Sequence, residues 1–251
     1  MSVFDGAQPW HHVGNDVGVL VSHGFTGSPV SMRPWAEHLA KAGFTVNMPL
    51  LPGHGTRWED LNRTTWSDWY QELDGELTAL RSTCRLVVVA GLSMGGTLAL
   101  RLAEKRGTDV DALMLVNPAV QLTDPRLRLL PVMKRVLPSL PAIGNDIKRP
   151  GIKEASYDRT PLRALHSMVD LSNGVRADLG LITQPLLLFR STQDHVVPTS
   201  NGPLLMNRVS SADLTDVILP DSFHVATLDH DAPTIFRRSV EFVNRIAGIS
   251  D

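Results

Sequence analysis

The sequence has one cysteine, Cys84, and that scarcity excludes a disulfide framework and a thiolate metal quartet. Its place between a helical stretch and the strand that follows suits a small buried apolar side chain. No lysine or arginine block interrupts a near balance of 24 basic and 26 acidic residues, which argues against nucleic acid or an anionic membrane surface as the main partner. No apolar run reaches the roughly 18 residues that span a bilayer, and Met1-Ser-Val-Phe-Asp-Gly6 shows no basic segment leading into an apolar one. A soluble cytoplasmic chain without stable membrane insertion is expected. Neither Gly-x-Gly-x-x-Gly nor Gly-Lys-Ser/Thr occurs, so the phosphate-cradling loops they build are absent. His-Glu-x-x-His is missing too, and His11, His12 and His54 do not have the spacing of zinc ligands. No metal and no organic cofactor is expected. Internal repeats and low-complexity tracts are also lacking.

What the chain does contain centres on Val87-Val-Val-Ala-Gly-Leu-Ser-Met-Gly-Gly-Thr97. A β-branched apolar run leads into glycines around one serine, and Thr97 to Ala103 then carries apolar residues at helical spacing. Strand, sharp turn and helix in that order, with Gly91-x-Ser93-x-Gly95 at the turn, form a nucleophile elbow. The serine there is held at strained backbone angles, and flanking glycines let neighbouring chain pass close to it.

Short apolar strands recur along the chain. Val17–Val21, Phe44–Met48, Val87–Leu92, Ala112–Val116, Pro185–Phe189 and Asp213–Leu219 read as strands, and Val17–Val21, short, β-branched and apolar without alternation, reads as a fully buried parallel one. Helical patterns separate them. One starts at Pro29 with Ser28 as its cap and Gly43 as its stop. Another runs from Trp66 to Arg81 with Thr65 or Ser67 as cap, and its Trp66, Trp69, Tyr70, Leu73, Leu77 and Leu80 stripe is read as core. A last one spans Ala232–Ile246. Alternation of this kind predicts an α/β class, with a mostly parallel central sheet and helices on both faces. The 251 residues suffice for a single domain. From about 120 to 180 no clean strand is visible and prolines crowd, so that stretch reads as a small inserted cap, placed where active-site loops lie in open α/β folds.

A serine hydroxyl needs an imidazole to take its proton and a carboxylate to orient that imidazole. In elbow enzymes the acid follows a late strand and the histidine follows the last one. Asp194 and His224 occupy those places. His195 and His230 compete for the base, and Asp178, Asp216 and Asp221 compete for the acid. The backbone N–H groups of Met94, next to the nucleophile, and of Phe25, in His23-Gly-Phe-Thr-Gly27, are the candidate oxyanion donors. His23 is read as a brace for that loop, and His54 as a loop residue near the pocket rim.

Gly24-Phe-Thr-Gly-Ser-Pro29, Met32-Arg-Pro-Trp35, Pro52-Gly-His-Gly-Thr56, Gly91-Leu-Ser-Met-Gly-Gly96, Asp194-His-Val-Val-Pro198 and Phe223-His-Val-Ala-Thr-Leu228 together resemble the bacterial monoacylglycerol lipases and short-chain carboxylesterases of the α/β-hydrolase superfamily. The likeness covers nearly the whole chain and is weakest over residues 122–150. It implies Ser93, Asp194 and His224 as the triad, with Phe25 and Met94 as oxyanion donors. It also implies that Glu154, in Ile152-Lys-Glu-Ala-Ser-Tyr-Asp-Arg-Thr-Pro161, touches the polar glycerol head of the substrate. The expected reaction is hydrolysis of a small lipid-like carboxylic ester, monoacylglycerol first among them, through an acyl-enzyme. A general short-chain carboxylesterase, a thioesterase or an acyltransferase would use the same residues, and a non-catalytic ligand receptor shares the fold. Leu127, Leu129, Leu130, Val132, Met133, Val136 and Leu137 exceed what one cap face needs. They serve equally as packing, as tunnel lining, or as a surface for transient membrane or micelle contact or for a homodimer.

Overall fold

The computed structural model describes residues 3–142 and 145–249. In chain order its elements are β1 (Trp10–His12), β2 (Val17–Ser22), α1 (Arg33–Lys41), β3 (Thr45–Met48), α2 (Trp58–Leu61), α3 (Trp66–Arg81), β4 (Leu86–Leu92), α4 (Met94–Arg106), β5 (Ala112–Val116), α5 (Leu130–Val136), β6 (Ser139–Pro141), β7 (Arg159–Pro161), α6 (Leu162–Asp178), β8 (Leu186–Ser191), α7 (Asn201–Arg208), β9 (Leu214–Leu219) and α8 (Ala232–Ala247). Seven strands form one sheet in the order β1-β3-β2-β4-β5-β8-β9. All its pairings are parallel except that of β1 with β3.

Every residue of β2, β4 and β5 is buried. A strand covered on both faces gains from apolar residues on both, which is why these segments read without alternation. On one face α3, α4 and α6 close over Leu20, Val87, Val89, Leu113, Leu115 and Leu188. On the other, α1 and α8 cover Val19, Val88, Met114, Leu187 and Phe189, and Trp35 Nε1–H donates to Ser239 Oγ at 3.0 Å across them. Truncating a buried leucine to alanine on either face should cost about 2–5 kcal/mol.

Several local outcomes differ from the sequence reading. Ser28 does not cap a helix with its hydroxyl, which instead donates to Ala155 O at 3.2 Å; Pro29–Ser31 form a 3₁₀ turn before α1 begins. Thr65 is the cap of α3: its N–H and hydroxyl both donate to the Asp68 carboxylate, at 2.7 and 2.8 Å. Within the stretch expected to hold no clean strand, β6 and β7 pair as a short antiparallel ribbon. The same stretch ends in the 17-residue α6, whose Leu162, Ala164, Met168, Leu171 and Val175 are buried. Ser172-Asn-Gly174 inside it are poor helix formers, so tertiary packing rather than propensity holds the helix there.

Candidate active site

The carboxyl ends of the parallel strands carry the predicted residues. Ser93 links β4 to α4 at φ 56°, ψ −118°, a conformation costly to a residue with a Cβ and kept only where surroundings enforce it. They do so from several sides. Ser93 N–H donates to Val116 O at 3.0 Å, and Ser93 O accepts from Thr97 N–H at 3.1 Å and Ala119 N–H at 3.3 Å. A Cβ on Gly91 would stand 2.3 Å from Gly95 C, and one on Gly95 would stand 2.3 Å from Ser22 O. Only glycine lets the helix return so close beneath the strand.

The loop after β2 passes beside Ser93, since a Cβ on Gly24 would lie 3.5 Å from Ser93 Cβ. That contact brings the loop bearing Phe25 to Ser93, while Met94 is the first residue of α4. His23 is fully buried; its Nε2 accepts Leu51 N–H at 3.1 Å, so Nδ1 carries the proton and donates to Gly24 O at 3.0 Å. Burial pushes its pKa down to about 4. The neutral ring thus ties the Phe25 loop to the Leu51 loop. His54 is not at a rim. It is buried, with its ring edge-on to His23 at 4.9 Å and to Trp69 at 5.6 Å, and burial drives its pKa well below that of a free imidazole.

Asp194 follows β8 and His224 follows β9. Asp194 Oδ2 accepts His224 Nδ1–H at 2.7 Å, with the two side chains only 2% and 7% exposed. Asp194 Oδ1 accepts Val196 N–H and Val197 N–H at 2.9 and 2.8 Å, which locks the carboxylate. With Nδ1–H engaged, Nε2 is left free to accept a proton. The rivals are committed elsewhere: Asp178 pairs with Arg101, Asp216 with Arg190 and Asp221 with Lys148, each at 2.7–2.8 Å. The exposed His195 pairs with Asp146 at 2.7 Å. His230 is exposed.

Glu154 reaches in from the inserted segment, and a Cβ on Gly27 would meet its Oε1 at 2.9 Å. As a residue it is partly exposed, but its carboxyl lies among packed atoms. Desolvation raises its pKa, opposed by the nearby His224. Among the described residues, no three His, Cys, Asp or Glu side chains are grouped as metal ligands.

The sequence reading missed three residues of this region. Asn117, at φ 44°, ends β5; its amide donates to Ser191 Oγ at 3.0 Å and to His224 O at 2.9 Å, and its Oδ1 accepts Ser191 N–H at 2.8 Å. Buried Asp229 accepts the N–H groups of Lys148, Arg149, Phe223 and His230 at 2.7–2.9 Å. Asp146 accepts the N–H groups of both His195 and His224 at 3.1 Å. A short polar residue at the carboxyl end of a buried strand was the one legible signal, and it pointed to Asn117 alone.

Comparison with known proteins agrees with this architecture. The family described as Serine aminopeptidase, S33 matches residues 15–231. The chain is 43% identical over 247 residues to a thermostable monoacylglycerol lipase from Bacillus sp. strain H-257, covering 98% of each. It is 24% identical to a carboxylesterase of Bacillus subtilis, over 95% of this chain and 97% of that one. A solved structure of a metagenome-derived lipolytic enzyme superposes with a TM-score of 0.95 at 39% identity, over 97% of this chain and 100% of the other. The sheet order, the elbow and these matches have one reading: the chain belongs to the α/β-hydrolase family described as Serine aminopeptidase, S33, beside bacterial relatives named as monoacylglycerol lipase and carboxylesterase.

Proposed function

We propose that this protein is a serine esterase that hydrolyses monoacylglycerol to fatty acid and glycerol. The observation that carries the reading is the 2.7 Å Asp194–His224 pair, on loops that leave the sheet at the same edge as the strained Ser93. His224 Nε2 takes the Ser93 proton as Oγ attacks the ester carbonyl, and Asp194 steadies the imidazolium that forms. The Phe25 and Met94 N–H groups hold the oxyanion. His224 then protonates the departing glycerol oxygen, leaving an acyl-serine, and activates the water that releases the fatty acid. Glu154, beside the Phe25 loop, offers its carboxyl to the glycerol hydroxyls.

In this reading residues 1–251 form one domain, and the segment of about 120–180 supplies its cap. Leu129, Val132 and Val136 stand 61%, 65% and 74% exposed there, which favours passing contact with a micelle or lipid surface. No helix among the described residues is long and apolar enough to cross a membrane. A family described by a peptidase leaves the scissile bond open, and the relative 43% identical over the full chain favours the ester. The 24% identical carboxylesterase supports the broader alternative of short, soluble esters.

Turnover of monoacylglycerols, p-nitrophenyl esters, acyl-CoA and aminoacyl amides by wild type and Ser93→Ala tests the proposal. Monoacylglycerol should lead, and Ser93→Ala should lose about 10⁴-fold or more in kcat with an unchanged melting temperature. Substantial turnover by Ser93→Ala would overturn the assignment, and a preference for amides would overturn the substrate class.

A further inference from the structure

One carboxylate of the cap, that of Asp146, holds both the acid loop and the base loop. Asp146 lies in the segment 145–149, just after Asn145, which is held at φ 65°. Its Oδ2 accepts both His195 N–H and His224 N–H, each at 3.1 Å. Its Oδ1 accepts His195 Nδ1–H at 2.7 Å, and its own carbonyl accepts Val225 N–H at 3.1 Å. The Asp146 side chain is only 12% exposed.

These contacts close a ring. Asp194 is bonded through its peptide to His195; His195 N–H reaches Asp146; Asp146 holds His224 N–H; and His224 Nδ1–H returns to Asp194 at 2.7 Å. Any change in the position of the Asp146 carboxylate moves the backbone of both partners of the relay, and the distance between acid and base follows. The segment around it cannot drift, because Lys148 N–H and Arg149 N–H are held by Asp229 and Lys148 Nζ pairs with Asp221 at 2.7 Å.

We infer that Asp146 is a positioning residue for the esterase reaction: through two backbone N–H groups it sets the separation of the Asp194 and His224 loops. The inference rests on the proposed serine esterase mechanism. The role differs from packing because it acts on the chemical step: Asp146 makes its bonds to the two loops and not to the substrate site near Ser93.

The experiment compares wild type, Asp146→Asn, Asp146→Glu and Ser93→Ala on a soluble p-nitrophenyl ester, with kcat and KM measured across pH and folding followed by thermal melting. Asp146→Asn should lose about ten- to a hundredfold in kcat, the scale of a small misplacement of catalytic groups, with KM within about twofold. Asp146→Glu displaces the clamp and should lose kcat as well, again with KM within about twofold and with melting close to wild type. An Asp146→Asn variant with wild-type kcat, beside an inert Ser93→Ala, would overturn the positioning role and leave the esterase reading standing. Substantial turnover by Ser93→Ala would remove the mechanism itself and the inference with it. Failure of both Asp146 variants to fold would make this carboxylate a determinant of the fold, which also overturns the role.

Discussion

The elbow and the inserted segment belong to one chain but are built under opposite constraints. From Leu86 to Leu100 every residue is buried, and glycines are spaced so closely that backbone touches backbone. Between Leu122 and Leu137 only Leu130 is buried, and the helix there has seven residues. The first region can hold an atom in place because nothing near it can relax. The second presents apolar side chains to solvent and gains little from its own packing. Under the proposed function, the geometry of bond cleavage falls to the sheet, and the choice of what is cleaved to the segment above it.

The largest effect that would sharpen this contrast comes from Gly91→Ala. The added methyl would sit 2.3 Å from the Gly95 carbon and 2.4 Å from its oxygen, so backbone must move and stability should fall by about 3 kcal/mol. Denaturant unfolding measures it, and a wild-type midpoint would break the claim that close packing sets the elbow. Next comes pH. His23 has its pKa lowered from 6.5 to about 4, and His54 is lowered too, both chiefly by burial. Such rings stay neutral when folded and protonate first when unfolded. Their stabilising contribution is therefore complete above pH 6.5 and is lost as pH falls toward 4. For His23 the span amounts to about 3 kcal/mol. Melting curves from pH 7 to 4 should show the decline, and His23→Gln should flatten it; an unchanged slope would place the acid sensitivity elsewhere. The smallest effect belongs to Val132→Ser with Val136→Ser, which should alter stability by less than about 0.5 kcal/mol. Turnover of micellar monoacylglycerol should drop several-fold while that of a soluble short ester holds. Equal loss on both substrates would erase the division of labour.

Legibility in the sequence follows the same division. The core strands were readable because burial on both faces leaves only apolar residues, and β5 begins and ends at the residues expected. Ser93 was readable because a strained turn demands glycine at fixed offsets. Asp194 and His224 were placed by chain order, and their mutual contact and the ion pairs that occupy their rivals could come only from three dimensions. The antiparallel β1, the ribbon of β6 with β7, α2 and α7 left little trace, being three to eight residues long. Elements this short are stabilised by tertiary partners rather than by their own periodicity. Asp146 and Asp229 went unseen for a related reason. An acid that satisfies distant backbone N–H groups has the same sequence appearance as one that faces water.

The backbone torsion at Ser93 has one more consequence. A hydroxyl mounted on a strained turn between a buried strand and a buried helix has no private way to come loose; it is lost only when the sheet itself comes apart. The imidazole is mounted otherwise, on a loop laced to its neighbours by one hydrogen bond donated by Asn117 and by N–H groups that donate to Asp146 and Asp229. Heat, solvent or substitution should therefore reach His224 before it reaches Ser93, and the durability of the proposed relay is the durability of that lacing.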